Sequence, residues 1–100
     1  MGRAELKIPG GKLIRAQVSA EDGKIRRIII TGDFFLHPED VLDRLEETLL
    51  GRKAKEVDKT IDRFFKENKA VLVGVKVRDF TKVILDAWHD QAQKAISQRR

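Results

Sequence analysis

One hundred residues, 41% of them hydrophobic and 37% charged, supply enough apolar material for one small globular domain spanning residues 1–100 and leave no room for a second. The formal net charge is +5 and there is no cysteine, which excludes disulfides, thiolate metal sites and cysteine nucleophiles and fits a cytoplasmic setting. Apolar runs such as Ile28-Ile29-Ile30 and Val71-Leu72-Val73 are too short to span a bilayer, and the opening Met1 to Glu5 lacks the apolar segment of a secretory signal, so neither membrane nor export is expected.

The first third reads as strand and turn. Ala4, Leu6 and Ile8 alternate with Arg3, Glu5 and Lys7, the period of a half-buried strand. Pro9-Gly10-Gly11 breaks it. Lys12 to Ser19 predicts a second strand with Ile14, Ala16 and Val18 on one face and Arg15 and Gln17 on the other. Glu21-Asp22-Gly23 has hairpin turn chemistry, and Lys24 to Thr31 follows as an isoleucine-rich third strand.

The remainder reads as helix. Pro38 suits a first helical position, and Val41, Leu42, Leu45, Leu49 and Leu50 make an apolar stripe ended by Gly51. A second helix is predicted from about Glu56 to Asn68, with Val57, Ile61, Phe64 and Phe65 on one side. Ala70 to Val77, apolar and interrupted by Gly74, could be a fourth strand but is read as a buried connector, since no turn returns it to the meander. Asp79 is placed as the cap of a third helix whose inner face carries Phe80, Val83, Ile84, Ala87, Trp88, Ala92, Ala95 and Ile96. The order predicts an α+β domain: a three-stranded antiparallel meander followed by three helices packed on one face.

Few residues offer chemistry. His37 and His89 sit in no ligand spacing; Asp86, His89 and Asp90 share a helix region but fit a solvated surface better than a metal site, which needs three or four convergent ligands. No serine or threonine lies in a strand–turn–helix elbow, and Asp33 with His37 lacks a third partner. Pro9-Gly10-Gly11-Lys12 could cradle an anion on its backbone amides, or be a tight turn with a surface lysine; it has neither the phosphate-loop spacing nor a following helix. Arg15, Lys24, Arg26 and Arg27 lie with Lys12 along the predicted hairpin, but no recognition helix or aromatic pair on a strand accompanies them, which disfavours nucleic acid.

Thr31-Gly32-Asp33-Phe34-Phe35-Leu36-His37-Pro38 stands out. Neighbouring residues at a strand end face opposite ways, so one phenylalanine enters the core while the other stays partly exposed. A packed corner and a docking corner for another protein both fit.

The chain resembles the small C-terminal domain of lipoate–protein ligases. The resemblance rests on Gly10-Gly11-Lys12-Leu13-Ile14, Asp22-Gly23-Lys24-Ile25, Gly32-Asp33-Phe34-Phe35 and the stretch from Leu45-Glu46 to Leu50-Gly51, with Val73-Gly74-Val75 and Asp79-Phe80 leading into the third helix. It covers roughly residues 7 to 90. It implies a fold similar to the SufE/NifU iron–sulfur assembly proteins, although the absence of cysteine argues against a cluster role. The family's large catalytic domain is not in this sequence. The resemblance therefore implies a non-catalytic accessory subunit of a split, archaeal-type ligase, paired with a catalytic subunit in a heterodimer. That partner would bind ATP, magnesium and lipoate, form lipoyl-adenylate, and lipoylate acceptor domains of 2-oxoacid dehydrogenase or glycine cleavage proteins. No residue here is expected to be catalytic or to hold a metal. Gly10, Gly11, Lys12, Gly32, Asp33, Phe34 and Phe35 are the residues expected to bind the partner or complete its active site. The competing expectations are a small basic nucleic-acid-binding domain and a SufE-like scaffold.

Overall fold

A computed structural model describes the backbone of residues 1–97 and the side chains of residues 1–94. Strands β1 (Gly2–Lys7), β2 (Leu13–Glu21) and β3 (Lys24–Gly32) form an antiparallel meander in the order β1-β2-β3. Helices α1 (Val41–Leu49), α2 (Val57–Glu67) and α3 (Val77–Ser97) cover one face of it, as the grouping of apolar residues predicts.

Alternation puts Ile14, Ala16 and Val18 of β2 in the core. In β3 the buried residues are Ile25, Ile28 and Ile30, and the first interval is three residues because the register shifts between Ser19 and Ala20. This bulge inserts one residue into β3 without turning the isoleucines outward. The β2–β3 hairpin is closed by Asp22 and Gly23, both with positive φ (55° and 74°), the conformation that makes a two-residue turn follow the twist of its strands.

Helix α3 lies across β1 and β2, α1 lies along β3, and α2 packs on α1 and α3. Val41, Leu45, Leu49, Val57, Ile61, Phe80, Val83, Ile84 and Ala87 meet the inner face of the sheet in one continuous core. Gly2 permits the closest approach: a Cβ there would collide with the backbone of Ala87 and Gln91 in α3. Alongside it, the Arg3 amide donates to Asp90 Oδ2 at 2.8 Å.

Several expectations shift. Val71–Val73 is a strand, β5, and not a connector. It pairs antiparallel with β4 (Phe35–His37) in a separate two-stranded ribbon, outside the meander as the lack of a return turn suggests. Pro38 precedes α1 by a turn, its carbonyl accepting from the Val41 amide at 3.1 Å. Leu50 is exposed, since α1 ends at Leu49 and Gly51 turns the chain at φ 82°. Asp79 is inside α3, where its carboxylate reaches back to the Lys76 amide at 2.7 Å, so it closes the first turn from within. Ala92 is exposed, and the side chains of Ala95 and Ile96 lie outside the described residues.

Candidate functional site

The residues singled out from the sequence converge on one end of the sheet. Chain order separates Gly10-Gly11-Lys12 from Gly32-Asp33-Phe34-Phe35 by a full hairpin, but the β2–β3 register sets Ile14 opposite Gly32, so the start of β2 and the end of β3 are neighbours. Gly10 and Gly11 turn the chain at φ 104° and 100°, conformations that favour glycine, and the Ile8 amide donates to the Lys12 carbonyl at 2.8 Å to close the loop.

Asp33 locks the two segments together. Its Oδ1 accepts from the Leu13 amide at 2.6 Å, while its own amide donates to the Leu13 carbonyl at 3.1 Å. The pair extends the β2–β3 ladder by one step with a carboxylate in place of a second backbone acceptor. Gly32 must be glycine here, because a Cβ would meet the Leu13 carbonyl oxygen and lie 2.7 Å from Phe34 Cδ1.

Phe34 and Phe35 divide as the strand geometry requires. Phe34 is half-buried, edge-on to Phe80 with centroids 5.4 Å apart; Phe80 in turn stacks with Phe65 at 5.7 Å, and Phe65 meets Phe64 edge-on at 5.4 Å. Phe35 turns out to solvent, 54% exposed and parallel to the His37 ring. Across the ribbon Phe35 faces Val73, Leu36 faces Leu72 and His37 faces Val71. Leu36 and Leu72 pack against the core, which leaves Phe35, His37, Val71 and Val73 on the outer side. Sequence reasoning missed the two valines: a three-residue strand is too short to show alternation, and its partner lies far back in the chain.

Gly74 follows β5 at φ 98°, and the aliphatic stem of Lys12 lies over it, with Cγ 2.7 Å from where a Cβ would stand. The glycine turn, the Asp33 clamp, the aromatic corner and the ribbon therefore form one surface. A shallow groove of about 350 Å³ runs beside it, lined by Gly32, Phe34, Leu36 and Leu42 among others.

The other candidate features are engaged or dispersed. Arg15 pairs with Glu5 at 2.7 Å on the open sheet face, and Lys24 lies at the hairpin turn, the opposite end of the sheet from the glycine turn. Asp86 pairs with Lys82 at 3.2 Å, and Asp90 takes Lys94 at 3.0 Å as well as the Arg3 amide, which together hold its carboxyl below the usual aspartate range. Among the described residues no three of His, Cys, Asp or Glu are gathered as metal ligands, and no helix is long and apolar enough to cross a membrane. A larger groove, about 480 Å³, lies between α1 and α2 and mixes Arg44, Arg52 and Arg63 with Glu47 and Glu67.

Residues 3–84 match the family model described as the bacterial lipoate protein ligase C-terminus. A curated relative, lipoate-protein ligase A subunit 2 of Thermoplasma acidophilum, is 33% identical over 72 residues, which span 72% of this chain and 76% of the relative. A solved structure from work on the same organism's lipoylation system, a bi-partite lipoate protein ligase and its E2 lipoyl domain, contains a similar chain. The similarity has a TM-score of 0.74 and 31% identity, over 81% of this chain and 90% of that one.

Proposed function

The chain belongs to the family of the bacterial lipoate protein ligase C-terminus, and from that membership we propose that it is the non-catalytic accessory subunit of a two-subunit lipoate–protein ligase. The observation that carries this reading is the match, across most of both chains, to a ligase subunit that is itself a separate polypeptide. The candidate site, an apolar corner braced by hydrogen bonds between Leu13 and Asp33, supports a docking role.

In this reading ATP, magnesium and lipoate bind the catalytic subunit, and the accessory subunit is required for activation of lipoate to lipoyl-adenylate. Transfer to an acceptor lysine, on lipoyl domains of 2-oxoacid dehydrogenase or on glycine cleavage proteins, follows on the catalytic subunit, in the cytoplasm. The accessory subunit acts by preference. A chain that binds the adenylation-competent conformation more tightly than the alternatives raises its population by that difference in affinity. Gly10, Gly11, Gly32, Asp33 and Phe34 shape the contact end, and Lys12 and Phe35 are presented by it.

The test is lipoyl-adenylate formation by the purified catalytic subunit with ATP and lipoate, with and without this chain. Formation should depend on the chain. Equal formation in its absence would refute the accessory role.

A further inference from the structure

We infer that the outer face of the β4–β5 ribbon, formed by Phe35, Val71 and Val73, is the surface on which the catalytic subunit seats an apolar patch bordered by carboxylates. This rests on the reading of the chain as an accessory subunit and adds which side chains make the contact and what chemistry they meet.

Exposure singles the face out. Phe35, Val71 and Val73 are each 54% exposed, and they are three of the five large hydrophobic residues left exposed among the described residues. Register brings them together: Phe35 opposite Val73, and Val71 opposite His37. The inward pair Leu36 and Leu72 already anchors the ribbon on the core, so that packing does not require apolar side chains on the other side. Contiguous apolar exposure of this kind marks an interaction surface.

The face is also preformed. Asp33 ties its base to β2, Phe34 wedges against Phe80, and the Lys12 stem packs over Gly74 directly after β5. Docking on a braced surface incurs little ordering entropy.

Charge identifies the occupant. Lys69 precedes β5, Lys76 follows it and Lys12 lies beside it; all three are exposed and make no ion pair among the described residues. A second copy seated here would set these lysines against their own equivalents, on a chain already at +5. A partner with an acidic border satisfies them. The ribbon is about 10 Å long, from three residues at roughly 3.3 Å each, so it can be only the centre of an interface. Lys12 and the glycine turn, packed over Gly74 directly after β5, continue the surface beyond it.

The experiment measures affinity between the catalytic subunit of the same organism and this chain by calorimetry, at two salt concentrations. Phe35→Ser and Val73→Ser should each weaken binding about tenfold with unchanged circular dichroism, as expected for central contact residues. Val73→Thr, which keeps strand propensity and shape, should weaken it less but in the same direction, so a serine variant that fails to fold leaves the idea testable. Lys69→Glu with Lys76→Glu should weaken binding and flatten its salt dependence. Lys24→Ser, at the opposite end of the sheet, should change nothing. If the wild-type chain binds and the ribbon variants bind equally well, the surface is wrong while the accessory role stands. If the wild-type chain neither binds nor promotes adenylation, the accessory role fails and this surface with it. If the chain alone self-associates and Phe35→Ser makes it monomeric, the occupant is a second copy and the inference is overturned.

Discussion

Leu13 and Asp33 are bonded in both directions, amide to carboxylate at 2.6 Å and amide to carbonyl at 3.1 Å, across 20 positions of sequence. The carboxylate is exposed, so its removal costs a hydrogen bond without burying an orphan amide. Asp33→Ala should destabilise the chain by about 1 kcal/mol in urea titration, and Asp33→Asn, which keeps an acceptor oxygen, by less. The loosened corner should also reduce adenylation by the pair.

Two glycines of the site should respond for different reasons. Gly32→Ala drives a methyl into the Leu13 carbonyl and the Phe34 ring, neither of which can yield without moving the corner, and should cost about 1–3 kcal/mol. Gly11→Ala meets no atom within 4 Å but must hold φ near 100°, and should cost about 1–2 kcal/mol. Thermal melts of both variants would rank them.

The adjacent phenylalanines should separate stability from binding. Phe34 fills a half-buried slot against Phe80, so Phe34→Ala should lose about 2–3 kcal/mol of stability. Phe35 is more than half exposed, and Phe35→Ser should stay within about 0.5 kcal/mol of the parent. Equal losses from the two would contradict the division of roles.

Glu46 supplies a pH signature. Its Oε2 accepts from the Ile30 amide at 2.7 Å on the outer edge of β3, and partial burial raises its carboxyl above the ordinary 4.5 despite that bond, with Asp43 adding to the rise. A raised folded value means the folded chain holds the proton more tightly than the unfolded one. This contribution is therefore complete below pH 4.5 and is lost as pH rises through the folded value. Glu46→Gln keeps an acceptor for Ile30 and removes the titration, so it should be more stable than the parent at pH 7, with the advantage fading in acid. Asp90 and Glu56 act in the opposite sense. Backbone amide bonds, from Arg3 and Lys53 respectively, are the main cause of their lowered values, and their contribution is lost as pH falls below the usual carboxylate range. Melting temperatures of Glu46→Gln and parent across pH 3–8 check the sign.

The elements that could be read in advance are those with local signals. Asp22-Gly23 marks the hairpin, the alternation of Ile14, Ala16 and Val18 marks the inner face of β2, and the spacing of Val57, Ile61 and Phe64 marks that of α2. The Gly32-Phe35 corner is visible because two aromatics in a polar junction cannot both be buried. What stayed hidden depends on distant partners. The bulge at Ser19/Ala20 leaves no trace except an odd interval between isoleucines. Val71 and Val73 reveal their direction only once Phe35–His37 lies beside them. The bonds of Gln91 to both backbone groups of Ala20 tie a helix to a strand across 71 positions and belong to no short motif.

The contact between β1 and α3 bears on when the molecule can become itself. Gly2 lies flush on the backbone of Ala87 and Gln91, and Arg3 is held by Asp90, so the first strand meets its cover only after nearly ninety residues have been made. A ribosome delivering this chain in order leaves the inner faces of β1 and β2 without their cover throughout that interval, while α1 already lies along β3, and the decisive closure joins positions far apart in sequence, which slows folding. The late arrival of α3 therefore sets the period of greatest exposure to aggregation, and a chain stalled before it is the species a chaperone would meet.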